Sequence, residues 1–160
     1  MRRRWFIAGL ATTAAWSMLA RAQQAVKLPR LGFIGSSTAS AMSSWIAAFT
    51  RRLGELGWIE KKTITIEYQF ADGRNDRYVQ IANNFVRQKV DVIVTYGTPP
   101  TKAAKAATQI IPVVFAAAAD PVGAGLVQSL ARQGGNITGI TNITAELAGK
   151  RLEIIKEIVP

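Results

Sequence analysis

VDVIVTYGTPP, residues 90–100 of a 160-residue sequence, is a strand pattern that leads directly into a helix start. The run from Val90 to Tyr96 is almost entirely apolar, which is typical of a central strand covered on both faces of a parallel sheet. The run stops at Gly97, after which Thr98 is predicted to be a helix N-cap with Pro99 at the first helical position. A buried strand followed at once by a helix is the repeating unit of an α/β protein.

The same alternation of strands and helices continues on both sides of this stretch. The predicted strands are Arg30–Gly35, Thr63–Phe70, Val90–Tyr96, Ile111–Ala117 and Asn136–Thr141. The predicted helices cover about 43–57, a segment capped by Asn75 or Asp76, about 98–109, a segment after Asp120-Pro121 that closes at Gly134-Gly135, and Ala145–Val159. This pattern predicts a doubly wound parallel sheet of order 2-1-3-4-5, and the alternating polar positions of strand two place it at the edge.

In such a sheet the binding site lies at the carboxyl ends of the strands, where the winding direction reverses. Strand one ends at Ser36 and Ser37, strand three leads into the loop that carries Thr98 and Thr101, and Asp120 follows strand four. These loops are expected to lead into helix N-termini, whose free N–H groups and partial positive charge suit a carboxylate. Taken singly, Thr98 and Asp120 are better explained as helix caps than as ligand contacts. Only the occurrence of two such loops at the switch point makes a binding role as good an interpretation.

Several classes of chemistry are excluded by composition. The sequence contains no His and no Cys, which removes histidine-dependent nucleophiles, thiol chemistry and the usual zinc and copper ligand sets. Its ten acidic residues are scattered, so no acid/base pair is indicated and we expect no enzyme. There is no dinucleotide or phosphate-loop motif, which predicts no cofactor. The basic residues are not clustered, which argues against a nucleic-acid partner.

The N-terminal segment has the features of an export signal. Three arginines, Arg2 to Arg4, precede an apolar run of 15 residues that is shorter than the ~20 needed to span a membrane. Ala20-Arg21-Ala22 then matches a signal peptidase site, which predicts a signal peptide over residues 1–22 and a periplasmic location. The twin-arginine route and the general secretory route both remain open. Without the first 22 residues the formal charge falls from +10 to +6, because four of the twenty Lys and Arg lie there.

The mature sequence resembles the first half of the substrate-binding proteins of bacterial ABC importers, in the branch related to tryptophan/tyrosine-binding lipoproteins. The resemblance lies in the order and spacing of seven segments: Leu31–Ser37, Leu53–Trp58, Ile66–Tyr68 with Ala71–Gly73, Ile111–Phe115, Asp120–Val122, Gly134–Gly139 and Lys150–Glu153. It implies one lobe of a two-lobe fold that binds a small amino-acid-like or carboxylate ligand in the cleft and delivers it to a membrane permease. By position, Ser36, Ser37, Thr98, Thr101 and Asp120 would line this lobe's side of the cleft.

The resemblance also sets the expected domain organisation. Residues 23–144 would form the N-terminal α/β lobe, and 145–160 would be the first helix of a second lobe that is missing, through truncation of the gene or because only part of a longer protein is present. That helix has an apolar stripe of Leu147, Leu152, Ile154, Ile155 and Ile158, which would then be uncovered. The alternative function is therefore a non-catalytic interaction module, or a non-functional fragment, that self-associates through the C-terminal helix.

Overall fold

The structure, a computed structural model, describes residues 27–131, 135–142 and 144–158. The strands are β1 Arg30–Gly35, β2 Thr65–Phe70, β3 Val92–Tyr96, β4 Val113–Ala119 and β5 Ile137–Asn142. The helices are α1 Ser43–Glu55, α2 Arg77–Gln88, α3 Thr98–Ala107 and α4 Thr144–Ile158. None of these helices is long and apolar enough to cross a membrane. The predicted signal peptide, residues 1–22, lies outside the described residues.

The strands form one parallel sheet in the order β2-β1-β3-β4-β5, which confirms the predicted topology. β1 has the predicted bounds, and the other strands differ from prediction by at most two residues at either end. β2 lies at the edge and β3 lies between β1 and β4, as their patterns predicted. All five strands therefore end on the same side of the sheet, which we call the carboxyl edge.

One face of the sheet is covered by α2 and α3 and holds the main core. Tyr78, Ile81 and Phe85, spaced three and four residues apart on α2, are buried there. The ring of Phe85 lies directly over Gly32 of β1, where a Cβ would stand only 2.7 Å from Phe85 Cδ2. Gly32 is therefore required by close packing between strand and helix.

The opposite face is covered by α1, which packs mainly over β1 and β2 and reaches β3. The Phe33 ring packs against those of Phe49 and Tyr68, with both centroid distances 5.7 Å. The apolar spacing of Phe49 and Leu53 continues to Leu56 and suggests burial, but Leu56 is 59% exposed. The helix ends at Glu55, so Leu56 is the C-cap and its side chain no longer follows the buried stripe.

Beyond α1 this face has no helix over it among the described residues. The side chains of Val94, Tyr96, Val114, Ala116 and Ile140 line the uncovered part, which we call the open sheet face. It contains an apolar pocket of about 320 Å³. The β4 and β5 residues on this face are exposed or half-buried, whereas those on the other face, such as Val113 and Ile137, are fully buried.

The helix predicted between strands four and five does not form within residues 121–131. The segment begins with tight turns, in which Leu126 and Val127 both donate backbone hydrogen bonds to the carbonyl of Pro121. Gly125 has φ +69°, a conformation that ends a helical turn. Leu126 and Val127 are buried, and turns rather than a helix deliver them to the core.

The capping predictions for α2 are right in position and wrong in mechanism. Asp76 occupies the N-cap position but makes no capping hydrogen bond. Its carboxylate instead accepts hydrogen bonds from the Arg74 guanidinium, which holds the pKa of Asp76 below its ordinary value. The exposed Arg74–Asp76 pair therefore replaces the expected cap.

Candidate functional site

The carboxyl edge brings together the loops that follow β1, β3 and β4. β3 is the common neighbour, because Ile34 of β1 pairs with Thr95 and Ala116 of β4 pairs with Tyr96. Ser36-Ser37, Gly97-Thr98 and Asp120 therefore leave the sheet at the same edge, as the topology predicted. Thr101 is the exception among the predicted site residues.

Ser36 and Ser37 stand at the first of these loops and are both half-buried. The Ser36 carbonyl accepts a hydrogen bond of 3.0 Å from the Gly73 N–H, which ties this loop to the turn after β2. Neither serine hydroxyl is hydrogen-bonded within the part of the chain that the structure describes. These hydroxyls can therefore bind a ligand without first breaking a bond to the protein.

The expectation that Ser36-Ser37 leads directly into a helix N-terminus is not met. α1 begins only at Ser43, after a separate turn in which the Met42 N–H donates to the Thr38 carbonyl at 3.1 Å. This loop therefore contributes hydroxyl groups. It does not lie at the N-terminus of α1, which begins six residues after Ser37.

Thr98 links the second loop to the third. It is the first residue of α3 rather than its N-cap, which is Gly97 with φ +86°. The Thr98 hydroxyl donates to the Ala119 carbonyl and accepts from the Ala119 N–H, both at 3.1 Å. The prediction of a Thr98 cap is thus wrong, because the hydroxyl is engaged by the end of β4.

The N-terminus of α3 offers few donors to an anion. Pro99 and Pro100 have no N–H, so of the first three helical residues only Thr98 carries one. The Gly97 N–H donates to the Ala116 carbonyl at 2.9 Å and is not free. A carboxylate at this edge would therefore depend on side-chain hydroxyls more than on the helix N-terminus.

Thr101 lies beneath the loop rather than on its surface. It is fully buried, and its hydroxyl donates to the Gly97 carbonyl at 2.6 Å. It also shares a 2.8 Å hydrogen bond with the buried Thr95 hydroxyl. Thr101 therefore supports the Gly97-Thr98 loop from below and presents no group to the edge.

Asp120 is exposed on the third loop, in a strained backbone conformation. Its φ is +38°, and its carboxylate accepts a 2.8 Å hydrogen bond from the Gly123 N–H. Ala117, at the bulge in β4, has φ +54°. Such conformations in residues other than glycine cost about 1–3 kcal/mol each and cluster at functional sites.

Asp120 differs from the other acids at this edge in having no cationic partner. Asp72, in the turn after β2, is paired with Arg77, and Asp76 is paired with Arg74. Asp120 makes no ion pair with any described residue. It is therefore the carboxylate at this edge that can meet a ligand cation.

Sequence reasoning missed an aromatic pair beside the same edge. Trp45 of α1 and Tyr96, the last residue of β3, stack edge to face with ring centroids 5.1 Å apart. Both line the apolar pocket of the open sheet face. No charged side chain lines that pocket.

The described residues hold no group of three His, Cys, Asp or Glu side chains that could bind a metal ion. The hydroxyls of Ser36 and Ser37 can donate and accept hydrogen bonds, and the carboxylate of Asp120 can accept them. They contain no nucleophile–base arrangement of the kind that catalysis needs.

Residues 37–160 match the family model described as ABC transporter substrate binding protein. Among curated proteins, the chain is 37% identical over 112 residues to the tyrosine-binding protein of Clostridioides difficile. The match covers 70% of this chain and 32% of that protein, so the chain spans about a third of the relative's length.

Three solved structures share the fold. A conserved domain protein from Vibrio cholerae superposes with a TM-score of 0.74 at 35% identity, over 84% of this chain and 45% of that one. The ABC domain in complex with L-Trp from Streptococcus pneumonia gives 0.66 at 25% identity, over 72% and 39%. The ligand-free, open structure of a substrate binding protein with adhesive properties from Clostridium difficile gives 0.67 at 28% identity, over 78% and 43%.

Proposed function

Because the chain belongs to the ABC transporter substrate-binding family, whose members bind solutes and are not enzymes, we propose that it forms one wall of an amino-acid-binding cleft. Its carboxyl edge is that wall. The ligand bound there is passed to an ABC permease in the membrane. The observation that carries the proposal is the meeting of three loops at one edge, with unengaged serine hydroxyls on one and an unpaired Asp120 on another.

The proposed ligand is an aromatic amino acid. Relatives that bind L-Trp or tyrosine support this class. The ligand carboxylate accepts hydrogen bonds from the hydroxyls of Ser36 and Ser37, and its ammonium meets Asp120. Thr98 acts by holding the second and third loops together through Ala119, and Thr101 acts by supporting Thr98 from below.

We expect this chain by itself to bind its ligand only weakly. A small-molecule site buries roughly 70–90% of its ligand, and the edge of one sheet contacts one side only. The relatives are two to three times longer than the segment they share with this chain. We propose that in such proteins the second wall comes from outside the shared segment.

The proposed place of action is the periplasm, reached by removal of residues 1–22. The support is the sequence of that segment, with its arginines, its short apolar run and Ala20-Arg21-Ala22. Proteins of this family are usually located outside the cytoplasm, which agrees with the proposed location.

The test is calorimetric titration of the chain with L-Trp and L-Tyr, and with two analogues of each. One analogue lacks the carboxylate and the other lacks the ammonium. Replacement of Asp120 by Asn should weaken binding of the amino acids by about tenfold or more, since hydrogen bonds to charged groups contribute ~1.5–3 kcal/mol. It should leave unchanged the weaker binding of the analogue without an ammonium.

Asp91→Asn is the matched control. Asp91 lies at the opposite edge of the sheet, where its carboxylate accepts a 2.7 Å hydrogen bond from the Arg30 N–H. Its replacement removes the same charge and should not alter the preference among the ligands. Equal affinity of Asp120→Asn and the parent chain for the amino acids would place the ammonium elsewhere and refute the proposed role.

A further inference from the structure

The segment that follows β4, residues 120–127, forms a compact set of turns with Asp120 at its start, and we call it the Asp120 turn. The Asp120 carboxylate accepts a hydrogen bond from the Gly123 N–H at 2.8 Å, and its carbonyl accepts one from the Ala124 N–H at 2.9 Å. Asp120 also has φ +38°, a conformation that persists only where the surrounding structure enforces it. The direction of the carboxylate therefore depends on the shape of the whole turn.

Lys105 of α3 holds the far end of the Asp120 turn. Its ammonium group donates hydrogen bonds to the carbonyls of Gly125, at 2.5 Å, and of Leu126, at 3.0 Å. Gly125 has φ +69° and Leu126 is buried, so these two carbonyls lie where the turn bends into the core. Hydrogen bonds from a charged donor are roughly twice as strong as those between neutral groups. Lys105 therefore fixes the turn at the end opposite to Asp120.

α3 holds this segment on both sides of Asp120. Before Asp120, Ala119 exchanges two hydrogen bonds with the Thr98 hydroxyl, and after it Lys105 binds the two carbonyls. Thr98 and Lys105 are seven residues apart, which is about two helical turns and about 10 Å along the axis, so they lie on the same side of α3. The segment that carries Asp120 is thus attached at two points to one helix.

The hydrogen bonds of Lys105 leave the charge of Asp120 available. A cation bound directly to the Asp120 carboxylate would orient it and also neutralise it, as Arg77 does for Asp72. Lys105 instead binds neutral backbone carbonyls, and Asp120 makes no ion pair with any residue that the structure describes. The turn is therefore held by a cation while the carboxylate keeps its charge for a ligand.

We propose that Lys105 is a positioning residue for ligand binding, because it holds the Asp120 turn so that the carboxylate meets the ligand ammonium. The inference rests on the proposed function, in which Asp120 contacts that ammonium. Lys105 itself contacts no ligand atom and acts through the turn. Its removal should therefore move Asp120 first and weaken binding only as a consequence.

The first test is amide hydrogen exchange, measured by NMR on the full chain without ligand. Lys105→Met keeps the apolar part of the side chain and removes the ammonium. It should speed exchange of the Gly123 and Leu126 N–H groups by roughly tenfold, because a hydrogen bond to a charged group contributes enough for such a change. Lys105→Arg should restore slow exchange, since a guanidinium can donate to both carbonyls. Lys102→Met is the matched control, because Lys102 is on the same helix and makes no hydrogen bond or ion pair with any described residue.

The second test is calorimetric titration of the same variants with L-Trp. Lys105→Met should weaken binding by about threefold to tenfold, and by no more than Asp120→Asn does, since only the Asp120 contact is lost. In a chain that already carries Asp120→Asn, Lys105→Met should have no further effect. Binding of the analogue without an ammonium should stay unchanged in Lys105→Met, and Lys105→Arg should restore the affinity for L-Trp.

Unchanged exchange of both amides in Lys105→Met overturns the proposal. So does an equal loss of L-Trp affinity with and without Asp120→Asn, because Lys105 would then act independently of Asp120. If Asp120→Asn weakens binding and Lys105→Met does not, this inference fails and the proposed function stands. If Asp120→Asn leaves binding unchanged, the proposed ammonium contact fails, and this inference fails with it whatever the exchange rates are.

Discussion

Replacement of Thr101 by Val tests whether Thr101 supports the fold or contacts the ligand. The resemblance to binding proteins assigned Thr101 to the cleft, whereas the structure buries it completely beneath the Gly97-Thr98 loop. Val has nearly the same shape and removes only the hydroxyl. If Thr101 is a support, the variant should lower the free energy of unfolding, and its effect on ligand binding should be secondary.

The expected loss of stability follows from the groups that lose the Thr101 hydroxyl as a hydrogen-bond partner. The Thr95 hydroxyl is buried and bonds to Thr101 at 2.8 Å, so it loses that partner and stays out of water. Leaving a buried polar group unpaired costs ~1–3 kcal/mol. The Gly97 carbonyl adds little, because the N-cap carbonyl also accepts the first backbone bond of the helix. A loss of about 1–3 kcal/mol is large against a domain stability of ~5–15 kcal/mol.

The assay is urea unfolding followed by circular dichroism for the parent, Thr101→Val, Thr95→Val and the double variant. Removing both hydroxyls leaves neither one unpaired, so the double variant should cost less than the sum of the single variants, with a coupling of ~0.5–3 kcal/mol. Thr50→Val is the control, because the Thr50 hydroxyl donates to the Ile46 carbonyl on the more exposed α1. It should change stability by about 0.5 kcal/mol or less.

Two results would refute this reasoning. Strictly additive losses for Thr95 and Thr101 would mean that the two hydroxyls do not depend on each other. An unchanged unfolding midpoint in Thr101→Val, together with lost binding of the amino-acid ligand, would return Thr101 to the cleft and contradict its buried position.

Three further predictions concern backbone strain, alkaline stability and export. Lys89 ends α2 with φ +54°, a conformation that glycine adopts more readily. Lys89→Gly should therefore raise the free energy of unfolding in urea by roughly 0.5–1 kcal/mol. The control Lys102→Gly, inside α3, should lower it by about 1 kcal/mol. Burial raises the pKa of Tyr68 to about 12 in the folded chain, so its contribution to stability should fall as pH rises from about 10 towards 12. Tyr68→Phe should flatten melting temperature against pH in that window, and an unchanged slope would contradict this. Mass spectrometry of periplasmic material should find a chain that starts at Gln23, and a full-length cytoplasmic chain would contradict export.

The sheet could be predicted closely because its signals are local. Apolar runs such as Val92–Tyr96 indicate central strands, and glycines mark the ends of β1 and β3. The order is the common one of doubly wound sheets, and it agrees with the edge pattern of β2. Neither signal depends on the details of side-chain packing.

The segment after β4 could not be predicted in the same way. Leu126 and Val127 have a spacing that suits a helix, and both are buried, so their burial alone does not distinguish a helix from a turn. Gly123 and Gly125 are the feature of the sequence that argues against a helix in this segment. A Cβ at Gly123 would lie 2.0 Å from Asp120 Oδ2, so the turn that Asp120 makes requires this glycine.

The residue types and positions of the candidate site could be predicted from the sequence. The hydrogen bonds among its residues could not. Thr98 and Thr101 are three residues apart on one helix, and sequence alone gives both the same role. The register between β3 and β4 separates them, because it brings the end of β4 to Thr98 and leaves Thr101 against Thr95. That register is a contact between two strands that are distant in the sequence, so no local pattern indicates it.

Three successive residues at the end of β3 explain how one lobe carries two separate surfaces. Tyr96 is the last strand residue and its ring lines the open sheet face, so it belongs to the apolar surface. Gly97 turns the chain with φ +86°, which a larger residue would resist. Thr98 then lies on the polar edge and bonds to Ala119. A single glycine therefore separates the apolar face from the polar loops, and neither surface takes residues from the other.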